Sequence, residues 1–160
     1  MNKENKSFDI SLMRLELLWW LATALVLAII LVPIYLNIPY FDFYIFNIVY
    51  IIVFVTFTRY VFLIKYSWFK KSLWPKVIMA LICPLMILIM MDGMNQFQLF
   101  LDEKGIEALM KDVPNEKWDS FYKFIRAEYL LFGVGAVIIS VIFPIRMIIS
   151  VWRTRNSGTF

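Results

Sequence analysis

Four long runs of apolar residues leave this chain few folds to choose from. A helix that crosses the roughly 30 Å hydrocarbon layer of a bilayer needs about 20 mostly apolar residues. Residues 15–36, 43–64, 74–91 and 129–152 each meet or approach that length. The chain is 62% hydrophobic, against about 45–50% in soluble domains. Gathered into runs, that excess is spans rather than one large core. Strict polar–apolar alternation is missing, which disfavours a barrel and leaves helices as the way to satisfy backbone polar groups in lipid. The expectation is an all-α, polytopic membrane protein: a four-transmembrane-helix bundle forming a single membrane domain over 1–160.

Taken in order, a short polar lead with Lys3, Glu4, Lys6, Asp9 and Arg14 precedes the first span. A signal peptide is the competing reading, but its apolar region would be only about 7–15 residues. The 15–36 run is longer and ends Val32-Pro33-Ile34-Tyr35, so an uncleaved anchor is expected. Residues 37–42 form a turn without Lys or Arg. Residues 65–76 form a basic-aromatic loop with Lys65, Lys70, Lys71 and Lys76 beside Tyr66, Trp68 and Trp74. Pro75 suits a helix's first turn, and Pro84 predicts a kink in span three. Cations mark the cytoplasmic side and aromatic rings the headgroup layer. With Arg153 and Arg155 after the fourth span, both termini are expected on the cytoplasmic side. The net charge of +4 thus reflects topology and anionic lipid rather than nucleic acid.

The one long polar passage, 92–128, then faces the periplasm. Pro114 followed by Asn-Glu-Lys-Trp reads as a helix start, and Trp118, Phe121, Tyr122, Ile125 and Tyr129 continue at helical spacing into span four. One helix from about 114 to about 152 would measure roughly 57 Å, well beyond the slab. Span three overshoots too, its stripe continuing through Met94, Phe97 and Leu101 until Gly105 breaks it, with a helical turn at 106–111. Helices three and four are therefore expected to extend into a periplasmic helical hairpin. Its aromatic stripe has two readings: closing the hairpin on itself, or staying open as a docking face. Phe121 and Ile125 are expected to pack on Phe97 and Leu101. Trp118, with Phe121, Tyr122 and Phe100, is the candidate partner-binding set.

Charges near the bilayer fall into two layers. Glu16, Arg59 and Arg146 lie toward the cytoplasmic ends of spans one, two and four; Asp42, Asp92, Arg126 and Glu128 lie toward the outer ends. Arg59 and Arg146 can snorkel, or either can pair with Glu16. A pair exposed in the headgroup layer would be worth at most about 1 kcal/mol. At mid-depth only Thr23, Thr56, Ser140 and Cys83 offer weak polarity, which argues against an ion path.

Catalysis has little to work with. Histidine is absent and cysteine is single, which removes the commonest general base and metal ligand and any internal disulfide. No HExxH, phosphate loop or nucleophile elbow can be written. An Asp92–Glu128 carboxylate pair is the one enzymatic candidate, suited to lipid chemistry at the outer interface. Met86, Met90 and Met94 share a helix face with Met91 beside them; thioethers can hold Cu(I), but methionine is also an ordinary gap-filler. No catalytic residue, cofactor or metal is expected. Gly133, Ala136 and Ser140, with Gly135 beside them, give span four a small-residue face for close approach within the bundle or between copies.

The segments Arg14-Leu-Glu-Leu-Leu-Trp-Trp20, Thr56-Phe-Thr-Arg-Tyr60 and Phe143-Pro-Ile-Arg-Met-Ile-Ile-Ser-Val-Trp-Arg153 are in view. With them the chain resembles uncharacterised four-span inner-membrane proteins of the Bacteroidota type. That resemblance implies a bacterial inner membrane as its home and carries over no activity, substrate or site. The leading functional expectation is a non-catalytic accessory or structural subunit of a larger inner-membrane assembly, with the bilayer and a membrane or periplasmic protein as partners. A small oligomeric channel or transporter is the alternative, and a lipid-modifying enzyme the third.

Overall fold

The computed structural model describes residues 3–38, 40–64, 73–111 and 113–156, and the side chains of all of these except 3–12 and 154. The loop residues Lys65, Tyr66, Trp68, Lys70 and Lys71 lie outside the described residues. Among the described residues the fold is all-helical. The four long helices are α1 (Lys3–Asn37), α2 (Tyr44–Leu63), α3 (Trp74–Leu109) and α4 (Trp118–Asn156), and a 3-10 turn, Asn115–Lys117, leads into α4. Each is long and apolar enough to cross a membrane.

Helix ends follow local chemistry. Pro75 sits in the first turn of α3, where its missing N–H costs nothing. Pro33, Pro84 and Pro144 all lie inside helices, but the one non-helical backbone position in α3 is Gly105, at φ 75° and ψ 175°. That region is essentially restricted to glycine. Beyond it one more turn closes as the Met110 amide donates to the Ile106 carbonyl, and the Val113 amide then donates to Met110. The break and the following turn fall where the sequence places them. α4 has 39 residues, about 58 Å of helix, so it overshoots an apolar slab of about 30 Å.

The helices pack in the order α1, α2, α4, α3. α4 runs between α2 and α3 along most of their lengths, α2 and α3 touch lightly, and α1 leans on α2. The α2–α4 seam is a stack of rings and small residues, with Phe57 face to face with Phe143 at 4.3 Å. Gly133, Ala136 and Ser140 are buried on this seam, so the small-residue face serves approach within the bundle. Gly93 is the matching gap in α3. A methyl group there would overlap the Phe46 ring and meet the Tyr50 hydroxyl at 2.6 Å. Met90 is buried and Met86 and Met94 pack partly buried against the same core.

At the hairpin end the core continues past the helices' most apolar stretches. Phe43 and Phe97 meet edge to face at 5.1 Å, Phe97 lies 4.1 Å from Tyr129, and Phe41 joins from the α1–α2 link. Leu109, Met110 and Val113 fold over this cluster and are buried. The polar passage is thus a folded cap with its own apolar interior.

Candidate functional site

The most unusual polar arrangement lies on the α2–α4 seam near the cap. Asn47 is fully buried one turn into α2, and Glu128, 6% exposed, faces it from α4. The Asn47 amide donates to Glu128 Oε1 at 2.6 Å. Neither Asn47 Oδ1 nor Glu128 Oε2 has a hydrogen-bond partner among the described residues. Two tyrosines wall the site, their rings 5.2 Å apart. Their hydroxyls donate elsewhere: Tyr50 to the Met90 carbonyl at 2.9 Å and Tyr129 to the Gly93 carbonyl at 3.2 Å. Both bonds end on α3, so the pair sits where three helices converge. Buried polar atoms without partners are rare and costly, which singles out this place over the rest of the seam.

From sequence Glu128 stands among the outer-end charges, and Asn47 is not singled out. The burial has a signal in the sequence. Ile125, Glu128, Phe132, Ala136, Ile139 and Phe143 recur at intervals of three and four, so Glu128 falls on α4's core-facing stripe. The candidate Asp92–Glu128 pair takes a different form: Asp92 is exposed and accepts a hydrogen bond from Gln96 at 2.7 Å, while Glu128 bonds Asn47.

At the opposite end Glu16 pairs with Arg59 at 2.7 Å, with side chains 19% and 5% exposed. The Arg59 guanidinium lies 5.0 Å from the Tyr60 ring centroid and 5.5 Å from that of Trp19, a cation held between aromatic faces. The expectation of an exposed, weak pair needs correcting, since Trp19 and Tyr60 enclose a charge that the sequence places at the surface. Arg146 stays apart and half-buried, donating to the Val61 carbonyl at 3.2 Å. That carbonyl is in the last turn of α2, where backbone acceptors lack helical partners. Lys76, counted among the loop cations, is also buried.

The four candidate partner-binding side chains, Phe100, Trp118, Phe121 and Tyr122, are half-buried and packed against the core. Trp118 is not left open at the tip; its indole N–H donates to the Val113 carbonyl at 2.6 Å. Phe100 contacts Phe43 at 5.4 Å and carries the Lys104 ammonium over its face. Arg126 is exposed and borders a groove of about 570 Å³ with Gln98, Asp102, Glu107 and Tyr122. Among the described residues no group of three or more His, Cys, Asp or Glu could hold a metal ion.

Fold and site together define an all-helical protein whose four helices are apolar and long enough for a bilayer, with one buried amide–carboxyl pair and one enclosed ion pair. Searches against protein-family models, curated proteins and solved structures find no match.

Proposed function

We propose that the protein is a non-catalytic accessory or structural subunit of a larger bacterial inner-membrane assembly, embedded by its four helices and docking through the hairpin end. Both termini face the cytoplasm and residues 92–128 the periplasm in this reading. The observation that carries it is the folded cap. Six residues suffice to turn the chain between the first two helices, as connections in compact bundles usually do. Between α3 and α4 the chain instead builds an apolar interior of Leu109, Met110 and Val113 beneath an exposed charged rim. Lys104, Glu107, Lys111, Glu116, Lys117, Asp119 and Lys123 form that rim. Phe100, Trp118, Phe121 and Tyr122 stiffen it from beneath and add their exposed edges to the docking face.

Site-specific photo-crosslinking tests this. Crosslinkers at Glu107, Lys117 and Asp119 should capture one and the same protein, and crosslinkers at Leu25 or Ile29 on α1 should capture lipid instead. A monodisperse protein that purifies alone in mild detergent and gives no crosslink from the cap would overturn the reading. The channel or transporter alternative draws support from one feature, the buried Asn47–Glu128 pair, and liposome flux would favour it. The lipid-modifying alternative would have to work with Asp92 and Glu128 bonded to separate partners, Gln96 and Asn47.

A further inference from the structure

We propose that Asn47 and Glu128 form a proton-binding site, in which a proton on Glu128 Oε2 is donated to Asn47 Oδ1 and closes the pair into an amide–acid ring. The argument starts from the two orphan oxygens. With Glu128 ionised, its carboxylate can only accept, the remaining Asn47 N–H cannot turn onto its own amide oxygen, and Asn47 Oδ1 and Glu128 Oε2 stay unsatisfied. A carboxylate away from water needs a counter-charge and several hydrogen bonds. Glu128 has one hydrogen bond, and no lysine or arginine pairs with it among the described residues.

One proton answers both deficits. It removes the charge and turns Glu128 Oε2 into a donor. The orphan acceptor available on the same pair is Asn47 Oδ1, attached to the carbon whose nitrogen already holds Glu128 Oε1. A planar amide and a planar carboxylic acid can exchange two hydrogen bonds at once, one in each direction. The proton comes from water on uptake and returns to water on release, with no other bond changed.

The surroundings favour a proton over a metal cation. The nearest backbone carbonyls of α3, Met90 and Gly93, already accept from Tyr50 and Tyr129. A hard cation takes six or more oxygens, and among the described residues the unpartnered side-chain oxygens here are Asn47 Oδ1 and Glu128 Oε2. The titratable and charged groups around the carboxyl are Tyr129 on α4, Tyr50 on α2, and Asp92 on α3 within electrostatic reach of Tyr50. Asp42 lies on the link at the same end of the bundle.

Infrared titration of the full chain in lipid nanodiscs tests the site. At about pH 7 exposed Asp and Glu side chains are ionised. One protonated carboxyl C=O band should nevertheless persist, shift in deuterated water, and vanish in Glu128→Gln. That substitution should fold, because a glutamine amide can donate to Asn47 Oδ1 and accept from its nitrogen just as the acid does. If the variant does not accumulate, isotopically labelled glutamate should shift the band and labelled aspartate should not. Thermal stability should fall with rising pH in the natural protein, since the folded state holds a proton that the unfolded state has lost. It should fall less in Glu128→Gln. No such band at neutral pH, or a band unchanged by both the substitution and the glutamate label, overturns the proposal. Loss of the band on adding NaCl or KCl at constant pH overturns it too, by identifying a metal ion as the occupant.

Discussion

Arg59, its guanidinium over the rings of Trp19 and Tyr60, holds Glu16 at 2.7 Å, and with the Tyr60 hydroxyl donating to the same carboxylate at 3.4 Å it ties α2 to α1. Because the arginine is 5% exposed, losing its partner leaves an enclosed cation uncompensated. Glu16→Gln should lower stability by about 3–5 kcal/mol, whereas an exposed pair would give at most about 1. Thermal unfolding in detergent measures it. Adding Arg59→Met should recover much of the loss; equal melting temperatures for the natural protein and Glu16→Gln would show that the pair is solvated.

The same substitution at two glycines of α3 should fail for different reasons. Gly93→Ala forces a methyl group into the Phe46 ring and the Tyr50 hydroxyl, and overpacking of this kind costs about 1–3 kcal/mol. At Gly105 there is open space, but φ is +75°, a conformation that costs a side chain about 1–3 kcal/mol. Chemical denaturation compares the totals. Quenching of the Tyr50 ring environment should change only in Gly93→Ala.

Trp118 supports the cap through packing and one hydrogen bond, and the two parts can be separated. Trp118→Phe keeps most of the ring and gives up the bond to Val113, worth about 0.5–1.5 kcal/mol. Trp118→Ala loses both and should cost about 3 kcal/mol, the low end for a large aromatic because the side chain is only half-buried. Amide exchange at Met110 and Val113 should accelerate in both variants and more in the second. Unchanged exchange in Trp118→Ala would mean that the cap holds without it.

Orientation has a direct measurement. The cation excess of residues 65–76 and of the tail predicts that a reporter fused after Phe160 is active only in a cytoplasmic form. One inserted at Gly105 should be active only in a periplasmic form. The reverse pattern would invert the proposed topology.

The sequence made the helices legible because each signal was local. Apolar run length marked the four helices, Gly105 marked the break in α3, and Pro114 marked the entry to α4. Gly133, Ala136 and Ser140 announced close approach, though not that α2 and α3 are the neighbours on α4. What stayed hidden depends on which faces meet. Asn47 and Glu128 are 81 residues apart, and no periodicity within one helix says which residue of another stands opposite. Glu128 also sits where an apolar run gives way to charge, so composition marks it as solvated while its helical phase marks it as buried. Phase wins because Ile125 and Tyr129, on either side of it, are core residues. Arg59 misleads similarly: an arginine near a helix end usually reaches water, and here Trp19 and Glu16 from α1 meet it beside Tyr60.

The packing order sets a schedule for assembly. α4 is the helix that α2 and α3 both lean on, while those two barely touch each other. A ribosome delivers α4 last of the four. Until it arrives, α2 and α3 have each other through the Tyr50–Met90 hydrogen bond and the Gly93 contact, while Asn47 lacks Glu128, the partner that α4 brings. The buried amide–carboxyl pair can therefore form only once α4 is in place. A chain stalled before α4 emerges would leave the Asn47 side chain without its carboxyl partner.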